Sequence, residues 1–588
     1  MRNHHHPMWP FSHPTHLQVS RRKQTAREDA LRAVRWSPFS LDSCEAEVYL
    51  RATASEIVDR ICKREWTASQ VLEAYIARAT LAQDLTNCIT EVMFCEARAQ
   101  AKALDAEFAS TGRLRGPLHG VPVSFKDVFN VQGYDTTMGF SSRAHQPSFE
   151  DAKVVALVRE AGGIPIAKTN VAQLVFFFEC VNPVWGRSLN PYTRSYTCGG
   201  TSGGEAALLA MDGVPFGWGT DIGGSLRIPA SFCGIYSLKP GYGRISMTGC
   251  PGTFDGLEAI RTVAGPMGRS VQDLELGARI VFGKQGTEYD PAPLPYRDPD
   301  MPNRLRFGFY VSDNYVKPSP ASQRAVLEAV DALRRAGHEC IEISVPQAHR
   351  AMEIFIGLTA ADGYKTLTTD LGSDPVEPGV SSLLLGPWLY GWVRNSVAWV
   401  MSKFLKDEKL PGTVRAASCK SVHEFHKLVQ ERDSYTRMFY REVWDKHGFD
   451  GIIAPVLALP ALPHGSCQYL SGLACATLLY NVVDSPVGVL PVTRVRATDA
   501  ATTEWTDPRV GPGHGSPVLE GLLYGKPDER GIGRGGFYDA EKMAGIPVGV
   551  QVVGRKWEEE KVIEMMKVVD RALGPRDFGP LAWTEQRK

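Results

Sequence analysis

The chain has 588 residues, with 65 basic and 65 acidic side chains and a formal net charge of zero. Without a basic excess or a long basic cluster it lacks the electrostatic footprint of a phosphate-backbone binder, so no nucleic acid is expected as a partner. The length alone would permit several domains, but the chemistry-bearing segments are spread over most of it, which points to one large catalytic domain over 46–580.

Residues 1–45 carry His4-His5-His6, several prolines and the basic run Arg21-Arg22-Lys23, and read as a flexible amino-terminal arm. Three consecutive histidines with no second cluster do not make a metal site. No apolar stretch in the arm is long enough to span a bilayer, and there is no secretory signal. The 12 cysteines form no CxxC pair and no cysteine–histidine spacing of the zinc type, so free thiols and a cytoplasmic location are expected.

From residue 46 the apolar positions Val48, Leu50, Ile57, Ile61, Val71, Leu72 and Ile76 recur at near-helical spacing, with Thr67 placed to cap a helix that starts at Ala68. Short apolar segments at 121–125, 164–167 and 452–455 then alternate with helical stretches such as 152–160. That alternation predicts an α/β fold around a central mixed sheet.

Three segments carry the chemistry. Gly120-Val121-Pro122-Val123-Ser124-Phe125-Lys126-Asp127 offers a lysine at the end of an apolar alternation, expected to close a buried strand; a surface lysine with Asp127 as a solvated companion is the competing reading. Cys198-Gly199-Gly200-Thr201-Ser202-Gly203-Gly204-Glu205 offers two adjacent hydroxyls. Its Ser202–Glu205 spacing also fits a capping box before Ala206-Ala207-Leu208-Leu209-Ala210. Gly219-Thr220-Asp221-Ile222-Gly223-Gly224-Ser225-Leu226-Arg227 sets a serine after small residues, so that the amides of Ile222, Gly223, Gly224 and Ser225 can converge on one point. Acyl transfer needs such a set: a nucleophile, a base to take its proton and donors for the oxyanion. A lysine serves as the base only when neutral, which burial can achieve. Asp221 and Arg227 read as supporting partners. Cys198 and Cys233 each neighbour a better serine candidate and read as small core residues.

Two regions look like elaborations. Leu383-Leu384-Leu385-Gly386-Pro387-Trp388-Leu389-Tyr390-Gly391-Trp392 opens a dense apolar segment over 382–405, which Pro387 and Arg394 make a poor transmembrane helix. It reads as a hydrophobic cap or interface element, open to peripheral membrane contact, to a homodimer interface or to burial. Residues 494–538, with Gly511-Pro512-Gly513-His514-Gly515 and Gly531-Ile532-Gly533-Arg534-Gly535-Gly536, read as a surface-loop insertion near the active-site mouth; the glycines lack the strand and helix context of a phosphate loop.

In this order the three segments resemble the amidase signature family. The resemblance continues through Lys168-Thr169-Asn170-Val171, Cys180-Val181-Asn182-Pro183, Leu238-Lys239-Pro240, Gly265-Pro266-Met267 and Pro547-Val548-Gly549-Val550-Gln551-Val552-Val553-Gly554. It covers roughly residues 50 to 575 and is strongest toward the fungal acetamidase and fatty acid amide hydrolase branch. It implies a single domain with a twisted mixed sheet flanked by helices on both faces, no cofactor and no metal, and hydrolysis of a carboxamide to a carboxylic acid and ammonia or an amine.

The family's Ser-Ser-Lys triad carries over as Ser225 for the nucleophile and Lys126 for the base. The middle serine, which follows a cis peptide bond, falls on Thr201, 24 residues before Ser225. Threonine keeps the hydroxyl and adds a methyl; Ser202 stands beside it as a cap, a supporting group or a second relay. Val175-Phe176-Phe177-Phe178 sit where the family's acyl pocket is partly formed, and equally fit a buried strand. In the mammalian fatty acid amide hydrolase a position comparable to 382–405 carries a membrane-binding cap, which implies a route for lipophilic amides. The same motifs occur in the glutaminase subunit of tRNA-dependent amidotransferases, and a non-catalytic scaffold on this fold is a further alternative.

Overall fold

A computed structural model describes residues 15–35, 43–286, 291–507, 515–529 and 531–585. Among these, eleven strands form one mixed sheet. In chain order they are β1 (Ile89–Val92), β2 (Pro122–Lys126), β3 (Ile164–Thr169), β4 (Phe216–Asp221), β5 (Tyr236–Lys239), β6 (Val263–Gly268), β7 (Arg306–Phe309), β8 (Glu339–Glu342), β9 (Gly451–Pro455), β10 (Val487–Arg494) and β11 (Pro547–Val553). Across the sheet they run β1-β3-β2-β4-β6-β5-β10-β11-β9-β7-β8. The strand β2 lies parallel to both β3 and β4, while β6, β5, β10 and β11 pair antiparallel.

The inner strands β2, β3, β4, β9 and β11 are buried along their whole length, so both faces must be covered. Consecutive side chains on a strand point to opposite faces, and β4 shows what covers each. A Cβ at Gly217 would meet Glu205 of the helix Gly203–Ala210, whereas next door the Phe216 ring lies against Gly277 of the helix Val271–Val281. This is the α/β sheet with helices on both faces that the alternating pattern predicts.

Thr67 caps the helix Ala68–Thr86 as expected, accepting from the Gln70 amide while the Gln70 side chain accepts from the Thr67 amide. Three expectations need correction. The arm over 1–45 is not free along its length: residues 1–14, including His4-His5-His6, lie outside the described residues, but His16–Arg35 is a helix docked on the domain. Lys23, the last residue of the basic run, is buried against Glu91 and Asp135 at 2.5 and 2.7 Å, and Leu31 is fully buried. A basic run in a segment read as flexible is held in place when two carboxylates bury one of its members.

The segment 494–538 is likewise no plain surface loop. The helix Pro517–Tyr524 buries Leu519, Leu523 and Tyr524, the last donating to the Lys317 carbonyl, and a two-stranded ribbon pairs Lys526–Pro527 with Gly533–Arg534. Residues 508–514, which hold most of the first glycine run, lie outside the described residues. Third, Ser202 stands at the N-cap position of Gly203–Ala210 but makes no side-chain cap. Its hydroxyl turns instead to the backbone of Thr220, and Glu205 faces the sheet.

The element over 382–405 consists of the helices Pro378–Leu385 and Gly391–Lys403 joined through Gly386–Trp388. Burial as its fate is excluded for the large side chains: Trp388, Tyr390, Trp392 and Phe404 are 62, 75, 70 and 69 % exposed. No helix among the described residues is long and apolar enough to cross a membrane.

Candidate active site

Lys126 is the last residue of β2 and is completely buried, which removes the surface-lysine reading. Its Nζ is hydrogen-bonded to Thr201 Oγ1, to Thr220 Oγ1 at 2.8 Å and, more distantly, to the Thr220 carbonyl at 3.4 Å. All three partners are neutral. Burial therefore dominates and pushes the ammonium pKa down to about 7, against the opposing pull of Asp221, Cys180 and Glu205. The neighbouring Asp127 is no solvated companion; it is buried and pairs with Lys168 at 2.7 Å.

Thr201 reaches Lys126 across the seam between β2 and the start of the helix Gly203–Ala210, and the peptide bond from Gly200 to Thr201 is cis. Ser202 points the other way, accepting from the Thr220 amide at 3.4 Å and donating to its carbonyl at 3.3 Å. Of the two adjacent hydroxyls, only that of Thr201 meets the lysine.

One pleat below Lys126 on the same face of β2, Ser124 donates to Glu205, which also accepts from Thr169 Oγ1 at 2.7 Å. Burial raises the Glu205 carboxyl to about 7 despite these bonds and Lys126 nearby. Sequence reading assigned Glu205 to a helix cap, because its spacing from Ser202 matched; the packing of the helix against the sheet claims it instead.

Ser225 follows the end of β4 and is half-buried. The turn before it is organised by Asp221, whose Oδ1 accepts from the Gly224 amide at 2.8 Å and whose Oδ2 accepts from the Leu226 amide at 3.2 Å. This corrects one expectation: the Gly224 amide is committed to Asp221, so the candidates that can face an oxyanion reduce to Ile222, Gly223 and Ser225.

Arg227 grips Asp221 with two nitrogens at 3.0 Å each and donates to Thr477 O at 2.8 Å, Gln551 Oε1 at 3.1 Å and Asn481 Oδ1 at 2.6 Å. Burial would raise the Asp221 carboxyl, but the Arg227 charge and hydrogen bonds hold it far below the usual carboxylate range. Asp221 and Arg227 are thus a buried, fully bonded pair. Cys198 and Cys233 are buried; the Cys233 thiol donates to the Cys198 carbonyl at 3.5 Å and burial pushes both thiols up.

Two cavities meet at Ser225. A polar one of about 570 Å³ is also bordered by Thr201, Thr220 and Ile222. An apolar one of about 70 Å³ is bordered by Ile222, Gly223, Gly224 and the run Phe176-Phe177-Phe178. That run is therefore pocket wall, not a buried strand. Sequence reading missed Thr220 as a lysine partner, and it missed Thr477, Asn481 and Gln551, which come from 250 or more residues away to hold Arg227. Thr220 and Gln551 had each left a trace inside a quoted motif, whereas Thr477 and Asn481 had left none.

The model of the amidase family matches residues 70–563. The chain belongs to the amidase family. Among similar proteins, the fatty-acid amide hydrolase 1 of Sus scrofa is 32 % identical over 571 residues, covering 95 % of this chain and 92 % of that one. The acetamidase of Emericella nidulans is 31 % identical over 545 residues, covering 90 and 91 %. A solved structure of a fatty acid amide hydrolase superposes with a TM-score of 0.79 at 25 % identity, covering 95 % of both chains. Like its family, this amidase is a hydrolase of carboxamide C–N bonds, and the amidase signature fold expected from the motifs is the fold observed.

Proposed function

We propose that this amidase cleaves an amide bearing an apolar acyl group through an acyl-enzyme on Ser225, with Thr201 as proton relay and Lys126 as base. The observation that carries the reading is the contact between Lys126 Nζ and Thr201 Oγ1 in a site where, among the described residues, no carboxylate is bonded to the amine. A lysine kept neutral in this way can accept a proton near neutral pH.

In the forward step Ser225 Oγ attacks the amide carbon, its proton moves to Thr201 Oγ1, and the Thr201 proton moves to Lys126 Nζ. The carbonyl oxygen becomes an oxyanion facing the amides of Ile222, Gly223 and Ser225, each such donor being worth about 3 kcal/mol of barrier. When the C–N bond breaks, the same relay runs backward and the Thr201 hydroxyl protonates the departing nitrogen. Water then attacks the ester, the relay again taking and returning one proton, and the carboxylic acid leaves. Asp221 and Arg227 are positioning residues that hold the Gly223–Ser225 turn; Ser202 positions the Thr220 strand end that also contacts Lys126.

The free, buried thiols of Cys88, Cys180, Cys198 and Cys233 support a cytoplasmic location for this activity. Peripheral membrane contact is assigned to the element over 382–405: its aromatics Trp388, Tyr390, Trp392, Trp399 and Phe404 are exposed, Lys365 lies over the Trp388 ring, and Ser382 and Leu383 border the apolar cavity at Ser225. The full bonding of Lys126 to Thr201 favours an enzyme over a scaffold that has lost catalysis. The test is amine release from a panel of simple carboxamides by the wild type, Ser225→Ala and Lys126→Ala proteins. Turnover lost in both variants with the fold intact is expected; wild-type turnover in either would remove that residue from the mechanism.

A further inference from the structure

The segment over 174–178 separates the two cavities at Ser225. Val175 borders the polar cavity, while Phe176, Phe177 and Phe178 border the apolar one. Its backbone is held in an unusual form: Leu174 and Val175 adopt φ of 60° and 52°, a region that a β-branched residue such as Val175 rarely enters. Strain of this kind persists only where the surroundings impose it. Here the surroundings are aromatic. Phe176 stacks on Phe355 with ring centres 6.3 Å apart and meets Phe254 edge-on at 4.6 Å, so the divider is braced from both sides.

We propose that this divider makes the enzyme selective for amides joining a short apolar acyl group to a larger polar amine, with Phe176 and Met352 setting the acyl length. The inference rests on the proposed Ser225–Thr201–Lys126 relay and goes one step further. The departing nitrogen takes its proton from Thr201, and Thr201 borders the polar cavity, so the amine half of the substrate lies there. The acyl substituent is on the other side of the carbonyl carbon and enters the apolar pocket.

The volumes then decide the substrate. An apolar cavity of about 150 Å³ holds a benzene molecule. The pocket here, at about 70 Å³, is less than half of that and takes an acyl chain of about two to four carbons. The amine side offers about 570 Å³ lined by Glu150, Tyr242, Thr253, Asp255 and Arg261, which suits an amine carrying several hydrogen-bonding groups. Phe176 closes the acyl pocket on the divider side and Met352, on the helix Ala348–Thr359, lines it as well.

The test is an acyl series from acetyl to octanoyl on one polyhydroxylated alkylamine, together with the acetyl derivative of methylamine, each rate being taken relative to alkaline hydrolysis of the same amide so that the lower basicity of the hydroxylated amine cancels. We expect kcat/KM to be at least tenfold higher for butyryl than for octanoyl, and at least tenfold higher for the polar amide than for the methylamide. Phe176→Ala and Met352→Ala should each shrink the butyryl-to-octanoyl ratio at least threefold; because the ratio is read within one protein, a general loss of activity does not imitate the effect. Octanoyl amides cleaved as well as butyryl amides by the wild type, equal cleavage of the two acetyl amides, or a ratio unmoved in both variants would overturn the proposal. Fluorophosphonate labelling of the same preparations separates the two layers: a Ser225 that labels alongside the wrong chain-length preference overturns this inference and leaves the serine mechanism standing, whereas a Ser225 that does not label removes the serine mechanism and this inference with it.

Discussion

Lys126 Nζ and Thr201 Oγ1 are hydrogen-bonded in a site where the second close partner of the amine is another threonine, Thr220, and no carboxylate among the described residues bonds it. A buried ammonium without a counter-ion is costly, and it escapes that cost by losing its proton. The site therefore holds a base ready near neutral pH.

This fixes the pH dependence of the reaction. With the Lys126 pKa lowered to about 7, kcat/KM should rise through pH 7 as the base becomes neutral and level off above pH 8. A rate profile over pH 5–9 on a substrate that does not titrate checks it. A profile flat through pH 7 would mean that Lys126 is not the group being titrated.

The same shift makes a stability prediction. Lys126 binds a proton less readily folded than unfolded, so between about pH 7 and its ordinary value near 10.5 the unfolded chain holds more protons and stability rises with pH. Lys126→Met removes the penalty and keeps the volume. We expect a higher Tm than wild type at pH 7 with catalysis lost, read by thermal unfolding and amine release on the same sample.

At the relay position the hydroxyl matters and the methyl does not. Thr201→Ser should keep activity within about tenfold, whereas Thr201→Ala should lose on the order of 10²–10⁴-fold in kcat, the span of a general acid–base group. Ser202→Ala, which loses only the bonds to Thr220, should fall by less than Thr201→Ala. Reversal of that order would move the relay to Ser202.

Asp221→Ala strands the buried Arg227 charge and frees the Gly224 and Leu226 amides. Breaking a buried pair from one side costs about 3–5 kcal/mol, so chemical denaturation should show a loss of that order and the turn before Ser225 should no longer support turnover. A stable, active Asp221→Ala protein would contradict the positioning role.

Residue spacing made the sheet readable in outline. Alternation at 121–125 and 164–167 places β2 and β3 within a residue or two of their observed ends, but it left Lys126 open between a buried strand end and the surface, and only the fold settles it as buried. What spacing could not carry is which side chains meet across elements distant in sequence. Glu205 matched a capping pattern three residues after Ser202, yet it turns to Ser124 and Thr169 because the helix packs that face on the sheet. The arm that carries Lys23 read as flexible because the carboxylates that bury this lysine, Glu91 and Asp135, lie 68 and 112 residues along the chain. The clamp on Arg227 by Thr477, Asn481 and Gln551 is invisible for the same reason.

The most direct test of the account is intact-mass analysis of fluorophosphonate labelling of the wild type beside Ser225→Ala, Thr201→Ala and Ser202→Ala. The account predicts a single adduct on the wild type, none on Ser225→Ala, and labelling slowed far more in Thr201→Ala than in Ser202→Ala. A folded wild-type protein that takes no label, or an adduct that survives in Ser225→Ala, would contradict it.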